Sequence, residues 1–252
     1  MSRRIVESYK KKLAVEEGCI TAQRGGLRIA LCYPNTHAIG MANLGLHTMY
    51  ELFNSIPDVV CERVFLPDRH ELAEYEKTGT PLMSLESQSR IKGFDVVAFS
   101  ISFETDYLNM AKMLQLADIP VWADRRDDRH PLVIMGGAAS FLNPEPIAEF
   151  TDVIAVGEGE ILAFQLIDAI IENDTKEETL LSLARIGRGF YVPAYYDVLY
   201  NDDGTAFDYL PNRNGVPKRV GRALAAVNPK EGTLRRALKR GETELADFLI
   251  SQ

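Results

Sequence analysis

The chain has 252 residues, a formal net charge of −8, 46% hydrophobic and 25% charged residues. That length suits one α/β domain with appendages and a core that needs no covalent staples, and the net acidity argues against a general grip on nucleic-acid phosphates. Three scattered cysteines, Cys19, Cys32 and Cys61, exclude a disulfide framework or a zinc ribbon; with no apolar run long enough for a bilayer and no signal-peptide core after Met1-Ser2-Arg3-Arg4, the expectation is a cytoplasmic protein that binds neither DNA nor membrane.

Residues 3–17 place Ile5, Val6, Tyr9 and Leu13 on one side and charges elsewhere, which predicts an amphipathic helix stopped near Gly18. Residues 19–27 read as a connector, with Gly25-Gly26 as punctuation. A first buried strand follows at 28–33 and ends at Pro34-Asn35. Residues 43–55 then carry Leu46, Met49, Tyr50 and Phe53 at helical spacing. A second strand is predicted over 59–65, a helical or looped insertion over 66–90, and a third strand over 95–100. Residues 106–117 form a helix with Tyr107, Met110, Ala111 and Leu114 on one face. The fourth strand, 131–135, runs into Gly136-Gly137. A short helix over 144–150 leads to the fifth strand, 152–156, and a helix over 160–172. Strands that alternate with helices in this way predict an open, parallel five-stranded sheet with helices on both faces. No internal repeat is present.

Beyond Asn173 the pattern changes, and Phe190-Tyr191-Val192-Pro193 and residues 195–200 read as extended segments. Residues 195–210 predict a hairpin about Asn201-Asp202-Asp203-Gly204. Residues 211–231 read as a connector and 233–250 as helical, with Thr243 as a cap and Arg235, Arg236, Lys239 and Arg240 as a solvated face. The predicted organisation is an N-terminal helix and linker over 1–23, an α/β domain over 24–173 and an extension over 174–252.

In open α/β sheets ligands bind beyond the carboxyl ends of the strands. Strand one ends in Asn35-Thr36-His37-Ala38-Ile39-Gly40, strand three in Ser100-Ile101-Ser102, strand four in Gly136-Gly137-Ala138 and strand five in Gly157-Glu158-Gly159. Glycines there let a bulky ligand approach the backbone, and hydroxyls supply hydrogen bonds to its polar edge. Dinucleotide, phosphate-loop and nucleophile-elbow signatures are all lacking. Glu158 and Glu160 sit at a helix start, where the dipole already favours carboxylates.

Residues 28–68, "RIALCYPNTHAIGMANLGLHTMYELFNSIPDVVCERVFLPD", with "SLESQSRIKGFDVVAFSISFET", "PLVIMGGAASFLNPEPIAEFTDVIAVGEGE" and "GFYVPAYYDVLY", resemble the cobalamin-binding-like N-terminal domain of cobalamin-dependent radical S-adenosylmethionine (radical SAM) proteins. The resemblance covers roughly residues 28–200. It implies a flavodoxin-like domain with the corrin lying over the strand ends. The cofactor-binding set it implies is Asn35, Thr36, His37, Gly40, Ser100, Ser102, Gly136, Gly137, Ala138, Gly157, Glu158 and Gly159. Asn35-Thr36-His37-Ala38-Ile39-Gly40 has the spacing of the D-x-H-x-x-G element with Asn for Asp, which makes His37 the candidate lower ligand to cobalt; in Ser100-Ile101-Ser102, Ser102 replaces the leucine of Ser-x-Leu. The C-x-x-x-C-x-x-C motif that holds the family's iron–sulfur cluster is not found here. The resemblance therefore implies a cofactor or partner-binding module that is not catalytic by itself, with a radical SAM catalytic domain or protein as partner. Two other readings stand beside it. One is a cofactor-free interaction protein, in which Phe103, Phe141 or Met41 fill the crevice. The other is a small enzyme using His37, Ser100 and Glu158, which requires a deep pocket where they converge.

Overall fold

A computed structural model describes residues 2–20 and 26–224. The Gly25 punctuation, the helix expected over 233–250, the Thr243 cap and the basic run beside it lie outside the described residues.

Five parallel strands form the centre: β1 (Leu27–Tyr33), β2 (Val59–Phe65), β3 (Val96–Ser100), β4 (Leu132–Gly136) and β5 (Val153–Ala155). β3, β4 and β5 are almost wholly apolar, as strands covered by helices on both faces require, whereas β1 carries Arg28 and β2 the buried Glu62-Arg63. A sixth strand, β6 (Phe190–Tyr191), joins antiparallel to β5, pairing Ile154 with Tyr191 and Ala155 with Phe190. The sheet order is β2-β1-β3-β4-β5-β6. The five-strand expectation is thus corrected to six: Phe190-Tyr191 is extended as its sequence predicts, but two residues are too short to show which sheet they join, and the ladder with β5 satisfies main-chain groups that would otherwise be open.

The helices are α1 (Arg3–Ala14), α2 (His37–Gly40), α3 (Leu44–Ser55), α4 (Arg69–Thr78), α5 (Tyr107–Leu116), α6 (Ala139–Leu142), α7 (Gly159–Glu172) and α8 (Lys176–Arg185). In α1, Ile5 and Tyr9 are buried, and Tyr9 Oη meets Tyr75 Oη of α4 at 3.0 Å. The 66–90 insertion holds α4, started by an Asp68–Glu71 capping box and stopped by left-handed Gly79. Residues 144–150 do not make an α-helix. They form a 3-10 segment, Glu145–Phe150, because Pro144 and Pro146 remove two amide donors. The helix α8 was not anticipated, although Thr175 and Glu178 spell its capping box. The predicted hairpin is present as β7 (Tyr196–Tyr200) and β8 (Ala206–Pro211), separate from the main sheet.

Among the described residues no helix is long and apolar enough to cross a membrane. Cys19, Cys32 and Cys61 are unpaired, and burial pushes the Cys32 and Cys61 thiols up.

Candidate functional site

The chain leaves β1 towards β2 on one side and returns to β3 on the other, so the strand order reverses about β1. Next to that switch point, beyond the carboxyl ends of β3, β4 and β5, lies a crevice of about 480 Å³. Its opening follows from register. Ala98 pairs with Leu31 and Ile134, and Ser100 pairs with Gly136. Alternation along a strand puts 98 and 100, 134 and 136, and 153 and 155 on one face. The last residue of that face is small in three adjacent strands: Ser100, Gly136 and Ala155. Below them Leu31, Ala98 and Ile134 form the floor, while Thr48, Met49 and Phe53 of α3 face Leu162, Ala163 and Leu166 of α7 across the slot.

Gly136 is the informative residue. Its φ is not positive, and a Cβ there would meet only Ala155 Cβ, at an ordinary 3.6 Å. Neither backbone nor packing demands glycine, and a larger side chain would simply occupy the slot. Gly137 differs. Its φ is +102°, and a Cβ would come within 2.5 Å of the Ile101 carbonyl oxygen. A Cβ on Gly40 would overlap the Phe65 ring, and one on Gly157 would overlap the Ala223 main chain. The expectation that strand-end glycines make room for a ligand is therefore carried by Gly136, while Gly40, Gly137 and Gly157 let the protein pack against itself. Gly159 lies against Met49.

Of the sequence-predicted residues, Ser100, Gly136, Gly137, Ala138, Gly157, Glu158 and Gly159 line the crevice. Asn35, Thr36, His37, Gly40 and Ser102 do not. The Asn35 side chain accepts from Thr36 N at 2.9 Å and donates to the buried Asp106 at 3.4 Å. Burial raises the Asp106 pKa. Ser102 Oγ accepts from Asn43 at 3.3 Å. His37 opens α2 and packs edge-on against Phe65, ring centroids 5.0 Å apart. Its Nε2 is buried with no hydrogen-bond partner among the described residues, and burial lowers its pKa, with Lys12 acting in the same direction.

His37, Ser100 and Glu158 thus do not converge in one pocket, which removes the geometry that the small-enzyme reading requires. Phe103 and Met41 do not line the crevice; Phe141 does, at its edge, under the Arg222 guanidinium. Among the described residues no three His, Cys, Asp or Glu side chains cluster as metal ligands. Thr48, Met49, Ala155 and Arg222 were missed. A small residue at the final inward position of three consecutive strands is the signal that points to Ala155; no local pattern announces Arg222.

A family model described as "Radical SAM proteins, N-terminal" matches residues 45–193. That span includes Ser100, Gly136 and the Gly157-Glu158-Gly159 turn but not the His37 loop. The chain is also 28% identical over 132 residues to an uncharacterized protein of Methanocaldococcus jannaschii, a match covering 52% of this chain and 24% of that protein. The chain thus spans about a quarter of the length of the curated relative it matches.

Proposed function

This chain belongs to the family of radical SAM protein N-terminal domains, and from that premise we propose that it is a cobalamin-binding-like module serving a radical SAM catalytic partner. The observation that carries the reading is the row Ser100, Gly136 and Ala155, which leaves an apolar slot open where side chains would fit. A slot of this size and lining suits a flat, largely apolar group with a few polar edges. The order β2-β1-β3-β4-β5 supports a flavodoxin-like reading, in which this rim is the ligand edge.

In this reading the slot between α3 and α7 takes the nucleotide tail of the cofactor and the rim above takes the corrin. Ser100 Oγ is the hydroxyl available to its polar edge, Thr48 Oγ1 can only accept there because it donates to the Leu44 carbonyl at 3.1 Å, and Ala98, Ile134 and Leu166 supply the apolar walls. Bound cobalamin supplies alkyl-group chemistry at cobalt; the protein supplies position and exclusion of water. His37 lies to the side of the slot, so the reading leaves the lower cobalt face without it.

The test is an ultraviolet–visible titration with hydroxocobalamin and methylcobalamin, run on the protein and on Gly136→Leu and His37→Ala. Saturable binding that is lost in Gly136→Leu and kept in His37→Ala is expected. A spectral change lost only in His37→Ala would make His37 the lower ligand after all. Failure of both corrins to bind would remove the cofactor and leave an interaction domain.

A further inference from the structure

Residues 221–223 return to the sheet as a strap across one end of the crevice. Gly221 bridges Arg188 and Ala223 bridges Gly157, both parallel. Four main-chain bonds fix it: Gly189 N to Gly221 O at 2.7 Å, Gly221 N to Gly187 O at 3.2 Å, Ala223 N to Val156 O at 3.0 Å and Glu158 N to Ala223 O at 3.0 Å. Two glycines admit it. A Cβ on Gly157 would overlap the Ala223 main chain, and one on Gly189 would overlap Leu162 and crowd Ala223 Cβ at 3.1 Å. Arg222 lies between the two bridging residues, and alternation points its side chain to the opposite face from that of Ala223.

Arg222 lines the crevice, with its guanidinium carbon 4.2 Å from the centroid of the Phe141 ring. Stacking on an aromatic face holds the guanidinium plane and leaves its edge free to donate. Arg222 makes no ion pair among the described residues. Apart from it, the charged lining consists of Glu158 and Glu160 at the start of α7.

We propose that Arg222 is the anion anchor of the crevice: held over Phe141 by the strap, its guanidinium takes a phosphate ester carried by a ligand whose apolar body fills the slot. A phosphate ester matches the fork of the guanidinium with two parallel charge-assisted bonds. The inference rests on the crevice being a ligand site but not on the ligand being cobalamin.

Three probes of one apolar body separate the contributions: 2-naphthyl phosphate, uncharged 2-naphthol and cationic 2-naphthylmethylammonium, titrated by fluorescence into the full chain and its Arg222→Ala and Arg222→Lys variants. The expected result is about tenfold or greater preference for the phosphate over the naphthol in the unaltered protein. Arg222→Ala brings that preference to within about twofold by weakening the phosphate far more than the naphthol, and Arg222→Lys restores part of it. The proposal is overturned if Arg222→Ala keeps the preference, if the cation binds best because Glu158 and Glu160 govern the mouth, or if no probe binds. Hydroxocobalamin and cobinamide, which lacks the phosphodiester, are titrated alongside. An Arg222-dependent phosphate preference with no corrin binding would retire cobalamin and leave the anchor standing.

Discussion

The carboxamide of Asn54 pairs with both main-chain groups of Cys61: Nδ2 donates to the Cys61 carbonyl at 3.0 Å, and the Cys61 amide donates to Oδ1 at 3.0 Å. Cys61 lies on β2, the outermost strand on that side of the sheet. An edge strand exposes a row of unpaired donors and acceptors. Here the helix preceding β2 supplies one residue that imitates a neighbouring strand. Further along, Glu86 accepts from Arg63 N at 2.7 Å, and Leu85 N donates to the Arg63 carbonyl at 2.8 Å. All seven residues of β2 are consequently buried although it is an edge.

Removing the Asn54 side chain strands the Cys61 amide and carbonyl together. Asn54→Ala is expected to cost about 1–3 kcal/mol in urea unfolding, with faster hydrogen exchange at the Cys61 amide. An unchanged midpoint and exchange rate would show that water substitutes freely at this edge.

Arg63 is buried, with its Nε 2.7 Å from Glu86, an ion pair to Glu16 of the segment after α1, and its guanidinium 4.4 Å above the Tyr50 ring. Arg63→Ala leaves two buried carboxylates without their partner. It is expected to destabilise by about 3–5 kcal/mol. A loss below about 1 kcal/mol by chemical denaturation would mean that the site admits water readily.

Gly136 and Gly137 are neighbours with opposite demands. Gly136→Ala adds a methyl into open space at an allowed φ and is expected to leave stability unchanged or raise it by up to about 1 kcal/mol. Gly137→Ala meets the Ile101 carbonyl at a positive φ and is expected to cost more than 1 kcal/mol. Equal unfolding midpoints for the two variants would contradict the assignment of roles.

Burial holds the His37 pKa below its ordinary 6.5, the cationic Lys12 and Arg63 acting with it and Glu16 and Glu71 against it. The unfolded chain then takes up this proton at higher pH than the folded one. The contribution is complete above about pH 6.5 and declines as the pH falls below it. Urea midpoints measured at pH 7.5 and 5.5 should fall more for the unaltered protein than for His37→Gln. Parallel declines would show that other groups carry the acid sensitivity.

The parallel strands were legible because strands covered on both faces are near-continuous apolar runs, as in Val96–Ser100 and Leu132–Gly136. The turn over Asn201–Gly204 likewise announced its hairpin. Phe190-Tyr191 was legible as extended, but not its place in the main sheet, since two residues carry no period and only pairing with β5 makes them its sixth strand. The site was read in part. Strand-end loops were recognised as one rim, and Ser100, Gly136 and the turn at Gly157-Glu158-Gly159 do share the crevice.

What the sequence by itself determined is the α/β alternation, the rim on which a ligand site would sit and the family resemblance, because these depend on local periodicity and linear similarity. Only the tertiary structure decided that His37 stands beside the crevice rather than in it, that Gly136 leaves space while Gly137 and Gly157 are consumed by close packing, and that Arg222 closes one end. The physical reason is register: which small residues stack side by side, and which distant segment lies against a glycine, is set by strand pairing between residues far apart in the chain, and no local pattern encodes it.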